Sequence, residues 1–341
     1  MKIALINFTQ ADHVAGGCET RYQLLHRALT EAGHSCELIA TTKDPVAHVI
    51  EVTGRCDLAI SDSGVCYETL CPMITIWGNP WLSVLRAQPD DWIRYIQDRQ
   101  TKWHATHPTV KVAVSNFMRA AEMEAIGIKA DHVITNPADI GRFPEPLPKT
   151  EPPTIVWVGP YSIIKNHYRI AMIQGYWTAN EQDLPVQWQF SITDSKYRRN
   201  FDAMTRLIGS ASVVLCTSIL EGCSNTLMEA IAADVPIITT QTGLFWDWWD
   251  DRLGIRVEDN SNTEGFTKAI RTVLTAEPGQ FRPREVAVEK TLDYETWANK
   301  WRILAEEVSG VKSDSPSESL ATESIPSEGD GIAGEANPPA V

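Results

Sequence analysis

The sequence predicts an α/β protein made of two parallel-sheet domains in tandem, and three observations carry that reading. The run Ala211-Ser-Val-Val-Leu-Cys-Thr-Ser218 is short, apolar and β-branched, as a parallel strand covered on both faces must be. A comparable unit opens the chain, where Met1 to Phe8 leads through a loop into an amphipathic helix. Between the two lies a proline-rich stretch, Asn136-Pro137 to Pro153, with the composition of a hinge. With 341 residues and 43% hydrophobic content there is material for two cores of ordinary domain size.

Each element follows from local chemistry. Met1 to Phe8 is the first strand, and the loop after it ends in Gly16 and Gly17, where backbone can approach a ligand with no Cβ in the way. The helix from about Cys18 to Ala32 is terminated by Gly33, and Glu19 in its first turn suits the macrodipole and is read as a helix-start residue. Pro144, Pro146, Pro148 and Pro152 make a stiff, extended linker. Thr154 to Gly159 and Gln187 to Ile192 are the next strands, and one helix fits between the latter and Ala211. Asn225 is the expected N-cap of a helix whose apolar stretch runs from Leu227 to Ala233 and ends before Pro236. Ile237 to Thr240 is a strand, and residues 285–308 read as helical. From about Ser309 the chain turns to Ser, Glu, Pro, Gly and Ala, which cannot offset ordering entropy, so a disordered tail is expected.

The chemistry concentrates in Glu221-Gly-Cys-Ser-Asn-Thr-Leu-Met-Glu229. A strand, a short loop and a capped helix leave the amides of Thr226, Leu227 and Met228 free and aim the positive end of the dipole at an anion such as a diphosphate. Glu221 in the loop and Glu229 one turn into the helix would repel a phosphate, so they are assigned to sugar hydroxyls on either side of it. That combination describes a nucleotide-sugar site, with Ser224, Asn225, Thr226 and Leu227 at the helix start as its phosphate-facing residues.

The Glu-x7-Glu spacing within EGCSNTLMEAIAADVPIITT resembles the donor-site signature of the retaining glycosyltransferases of family 4. The resemblance implies the GT-B fold, two Rossmann-like domains with a donor/acceptor cleft between them, with Glu221 on the transferred sugar and Glu229 on the ribose. It extends over about residues 2–305. VKVAVSNFMRAAEMEAIGI resembles the strand, Ser and helix of the family's first domain, and DHVITNPADIGRF the approach to the crossover. Lys165 falls where the family carries a basic residue that neutralises the donor phosphates, and Gly16 and Gly17 match its glycine loop. The implied division is an acceptor domain over 1–145, a linker over 146–153, a donor domain over 154–284, a helix returning to the first domain over 285–308, and an acidic tail over 309–341. The implied activity is metal-independent, retaining transfer from a nucleotide-diphosphate sugar to an unidentified acceptor, with no cofactor, no metal ligand set and no side-chain nucleophile.

Three departures stand out. The family's Arg after the strand glycine is replaced by Pro160 and Tyr161, for which Arg198, Arg199 or Arg206 are candidate substitutes. The segment that usually cups the nucleobase is short, and Asp62 and Trp77 stand where relatives often carry His. These motivate an alternative, a catalytically inactive GT-B accessory protein. The groups Trp77 with Trp81, and Phe245-Trp246-Asp247-Trp248-Trp249, are either core wedges or stacking platforms for an acceptor sugar.

Charge and composition narrow the partners. The chain carries a net charge of −14, and 1–145, 146–308 and 309–341 carry −4, −5 and −5. No domain has the basic excess of a nucleic-acid binder or of a protein adhering to anionic lipid. No stretch resembles a membrane span or signal peptide, and the seven cysteines show no zinc-ligand spacing, so reduced thiols and a cytoplasmic location are expected. A Gly-x-Gly-x-x-Gly after the first strand is missing, which disfavours a dehydrogenase.

Overall fold

A computed structural model describes residues 1–7, 17–41, 46–63, 69–78, 91–192, 200–246 and 248–311, apart from the side chains of residues 92, 93 and 96. Gly16, Trp81, Asp247, Arg198, Arg199 and the tail beyond residue 311 lie outside the described residues.

The first half is built on β1 (Lys2–Asn7), β2 (Ser35–Ala40), β3 (Leu58–Asp62), β4 (Met73–Trp77), β5 (Val110–Ala113) and β6 (His132–Val133). They form one sheet in the order β2-β1-β3-β4-β5-β6, and every neighbouring pair is parallel. β3 and β4 are buried at every position, which is why neither alternates apolar and polar residues, although Ser61, Asp62 and Thr75 are buried with the apolar ones. Among the described residues the helices before β5 are α1 (Gly17–Glu31), α2 (Val46–Thr53) and α3 (Asp91–Thr106). After β5 the expected helix is wound unusually, as a π-helix over Met118–Met123 and a 3-10 turn over Glu124–Ile126, closed by Gly127 at φ 75°.

The second half holds β7 (Thr154–Gly159), β8 (Gln187–Ile192), β9 (Val213–Leu215), β10 (Ile237–Thr240) and β11 (Gly254–Val257), in the order β11-β10-β9-β7-β8 and again all parallel. Its helices are α4 (His167–Asn180), α5 (Phe201–Gly209), α6 (Asn225–Ala232) and α7 (Thr263–Leu274), followed by α8 (Pro283–Glu289) and α9 (Tyr294–Ser309). Among the described residues between β8 and β9 there is one helix, α5.

Two expectations need correction. The proline-rich crossover is not simply extended: a 3-10 turn at Ile140–Arg142 interrupts it, Phe143 is buried, and Lys149 Nζ donates to the Gly209 carbonyl at 3.2 Å. Residues 285–308 are not one helix but two. α8 stops at Glu289, Thr291 adopts φ 52°, and Asp293 starts α9 by accepting from the Thr296 amide at 2.9 Å.

α9 then packs on α1. The Arg27 guanidinium lies 3.6 Å from the Tyr294 ring centroid, and the Tyr294 hydroxyl donates to Glu31 at 2.9 Å. Trp297 and Trp301 are buried in a core cluster that also contains Leu25, Ile74, Leu227 and Ile237, so apolar packing runs continuously from one sheet to the other.

Candidate functional site

Parallel strands point their carboxyl ends the same way, and the loops at those ends of the two sheets meet. The loop that carries Glu221 begins where β9, buried between β7 and β10, ends. Ser218 Oγ donates to Glu221 Oε1 at 2.6 Å, Thr240 Oγ1 donates to the Ser218 carbonyl at 3.0 Å, and the Glu221 amide donates to Thr242 Oγ1 at 2.9 Å. Glu221 is thereby held at its carboxylate and at its backbone amide, with Thr240 bracing Ser218. Lys165, in the loop after β7, donates to the same carboxylate oxygen. Gly159, at the end of β7, lies beside that lysine: a Cβ there would sit 3.2 Å from the Trp157 ring and 3.4 Å from Lys165 Cγ. Burial works against the Lys165 ammonium, but the Glu221 carboxylate outweighs it and holds the lysine above its ordinary pKa. Burial also pushes up the neighbouring Cys216 thiol.

The helix start differs in detail from expectation. The cap position is Ser224, at φ −69° and ψ 114°, and Asn225 is the first residue of α6. The Met228 amide is not free: it donates to the Ser224 carbonyl at 3.1 Å. The amides without an intrahelical acceptor are therefore those of Asn225, Thr226 and Leu227, one position earlier than predicted. The Asn225 side chain is released from capping and bridges the halves, donating through Nδ2 to the Gly17 carbonyl at 2.7 Å.

Glu229, one turn along α6, meets Arg142 from the 3-10 turn of the crossover. Arg142 also donates through Nε to Thr205 Oγ1 at 2.7 Å and through Nη2 to the Phe201 carbonyl at 2.9 Å. Burial raises the Glu229 pKa against the opposing pull of Arg142.

The facing wall comes from the first half. A Cβ on Gly222 would fall 2.1 Å from the Gly78 carbonyl oxygen, so the Glu221 loop touches the end of β4 backbone to backbone. Asn136 Nδ2 donates to the Cys223 carbonyl at 2.9 Å, and the Phe117 and Trp246 rings approach to 6.1 Å. The structure thus gathers Gly17, Lys165, Glu221, Ser224, Asn225, Thr226 and Leu227 at one junction, with Glu229 one turn deeper.

Other candidates are placed elsewhere. Arg206 lines a hollow with Thr150, Thr154 and Gln187 at the amino ends of β7 and β8, the opposite edge from Lys165, and does not replace the missing Arg. Trp77 is 2% exposed and packs on His104, which rules it out as a sugar platform. Phe245 is buried and takes Trp248 and Trp249 edge-on, at 5.5 and 5.3 Å between centroids. Among the described residues no group of three or more His, Cys, Asp or Glu side chains could hold a metal, and no helix is long and apolar enough to cross a membrane.

Residues 180–276 match a family model described as glycosyl transferases group 1; the segment contains Glu221 and Glu229 but not Lys165. No curated protein matches the sequence. Among solved structures, a sucrose-phosphate synthase from Thermosynechococcus elongatus is similar with a TM-score of 0.69 and 14% identity, over 91% of this chain and 100% of that one. HepE from Anabaena, in complex with UDP-glucose, is similar at 0.67 and 12%, over 89% and 99%. A glycosyltransferase from Rickettsia africae is similar at 0.60 and 16%, over 90% and 98%. At such identities the likeness establishes the fold, and the fold is GT-B. The family match and these neighbours together support a glycosyltransferase.

Proposed function

We propose that the protein is a retaining glycosyltransferase that moves a sugar from a nucleotide-diphosphate sugar to an acceptor held by the first half, without a metal ion. The observation that carries the reading is the junction itself, where the first-turn amides of α6, Lys165 and Glu221 converge opposite the α1 start. The diphosphate rests on the amides of Asn225, Thr226 and Leu227, and Lys165 neutralises the charge that builds on the leaving group. Glu221 orients the transferred sugar and Glu229 accepts from the ribose. With the leaving group met by a cation and a helix start, catalysis is largely positioning and electrostatic stabilisation. HepE's complex with UDP-glucose makes a uridine diphosphate sugar the first donor to try.

The accessory reading keeps one observation in its favour. Lys165 and Glu221 are bonded to each other, so donor binding must exchange that pair for contacts to phosphate and sugar. Calorimetry and thermal melting with UDP-glucose, UDP and a wider panel of nucleotide sugars decide between the two. Stabilisation by at least one member, with product of retained anomeric configuration formed in EDTA, is the expected result. A folded protein that neither binds nor turns over any donor replaces the enzyme reading with the accessory one.

A further inference from the structure

Arg21 lies on α1 one turn beyond Gly17, and its side chain is 4% exposed. A guanidinium is charged at every working pH. Yet its Nε and Nη1 atoms have no hydrogen-bond partner, and Nη2 reaches only Cys18 Sγ, at 3.9 Å. Among the described residues it forms no ion pair. The buried Asp62 carboxylate meets the same Cys18 thiol at 4.0 Å but makes no direct ion pair with the guanidinium. A buried guanidinium whose N–H groups are left open is costly, so a position that keeps one points to an anion that arrives with a ligand.

The surroundings say which ligand. Arg21 Nη1 occupies the space beside Gly78, 2.5 Å from where a Cβ on that residue would lie. Gly78 in turn presents its carbonyl to Gly222, so the guanidinium is next to the donor loop at the boundary between the halves. Its charge also bears on the Cys223 thiol of that loop. One turn back along α1, the Gly17 carbonyl takes the Asn225 side chain, which sets the start of α1 against the start of α6. On the second half, among the described residues, few cations reach the junction. Pro160 and Tyr161 stand where a second basic residue was expected, and Lys165 is bonded to Glu221.

We propose that Arg21 is the second phosphate-binding cation of the donor site, supplied by the first half of the chain and donating to an oxygen of the nucleoside diphosphate. This rests on the donor reading above and adds a residue and a direction to it: the diphosphate is clamped between the halves instead of being held by the second alone.

The test uses the full chain, its Arg21→Met and Arg21→Lys variants, and three probes: UDP, uridine and inorganic pyrophosphate, the last independent of which base the donor carries. Arg21→Met is expected to bind UDP and pyrophosphate at least tenfold more weakly, with uridine unchanged and Arg21→Lys intermediate. Its ligand-free melting temperature should equal or exceed that of the wild type, since an unpaired buried charge has gone; an arginine with a purely structural role would lower it. Should Arg21→Met fail to fold, Arg21→Lys carries the test through the ratio of UDP to uridine affinity. A wild-type ratio in a folded variant overturns the inference, and if Glu229→Ala still weakens UDP binding the donor reading stands without it. Unchanged UDP affinity with a raised KM for acceptor also overturns it, moving the cation to the acceptor. Binding of none of the probes by the wild type overturns the inference and the uridine donor assignment together, and leaves glycosyl transfer to be judged by the wider donor panel.

Discussion

Two carboxylates of the second half stand at or next to the junction, and each is held by a cation distant in sequence. Glu221 bonds Lys165, and Glu229 bonds Arg142. If Glu229 accepts from the ribose, Glu229→Ala should weaken nucleotide binding by about 1.5–3 kcal/mol, the usual range for a hydrogen bond to a charged group. Titration calorimetry checks it, and unchanged affinity would remove Glu229 from the site. His104 gives a residue-scale prediction about stability. Burial lowers its pKa from 6.5 to about 4, and its Nε2 meets the Ser63 carbonyl at 3.1 Å. Between those values the unfolded chain binds more protons, so the contribution is complete above about pH 6.5 and is lost as pH falls toward 4. The full effect is about 3 kcal/mol. Urea midpoints measured from pH 7.5 to 4.5 should fall less steeply in His104→Leu than in the wild type; equal slopes would contradict the assignment. Glu221 and Glu229 could be singled out in the sequence because their setting is local, a strand, a loop and a helix start, whereas Lys165 was reached only through the family resemblance. Arg142 and Arg21 were not, since each acquires its meaning from residues on another element. For Arg21 a signal existed: an arginine four residues after Gly17, on the face of α1 that also buries Tyr22 and Leu25.

At the scale of elements, two glycines separate folding from function. Gly254 begins β11 at φ 143°, and a Cβ there would lie 1.9 Å from the Ile237 carbonyl oxygen inside the second sheet. Gly254→Ala should cost about 2 kcal/mol or more of stability, by strain at a conformation that side chains rarely adopt. Gly222→Ala meets a backbone atom of the other half instead, so it should push the donor loop away from Gly78. The expected outcome is a modest loss of stability with at least a tenfold loss of transfer, read by urea denaturation and turnover on the same samples. Equal stability losses with intact transfer would show that the Gly78 contact does not matter to the reaction. The strands of the second half were readable from β-branched apolar runs, and the helix ends were less so. Ser224 displaced Asn225 as the cap because the Asn225 side chain is taken by Gly17, 208 residues away, which no local rule supplies. The break between α8 and α9 follows from Thr291 and Asp293, a turn and cap signal that continuous helical periodicity over 285–308 concealed.

As a whole, the molecule is two parallel sheets joined by a crossover near residue 140 and again by α9, which returns from the second half to α1. The two-sheet architecture was legible because buried parallel strands are short, β-branched and largely apolar and because a proline-rich stretch separates the two sets; which loops touch across the junction was not, being a property of the assembled pair. Trp301, fully buried in the core beside α1, makes that return essential: Trp301→Ala should cost about 3–5 kcal/mol by the cavity it leaves. Thermal or urea unfolding checks it, and a loss under about 1 kcal/mol would show that α9 is a loose appendage. The central claim is that the junction of α6, Lys165 and Glu221 transfers a sugar from a nucleotide donor. The most direct measurement is release of nucleoside diphosphate from UDP-glucose and a panel of other nucleotide sugars, with and without candidate acceptors, by the wild type and by a folded Lys165→Ala variant. The account predicts release from at least one donor by the wild type and a rate lower by about a hundredfold or more in the variant. Equal rates in the two proteins, or no release from any donor by a folded wild type, would contradict it.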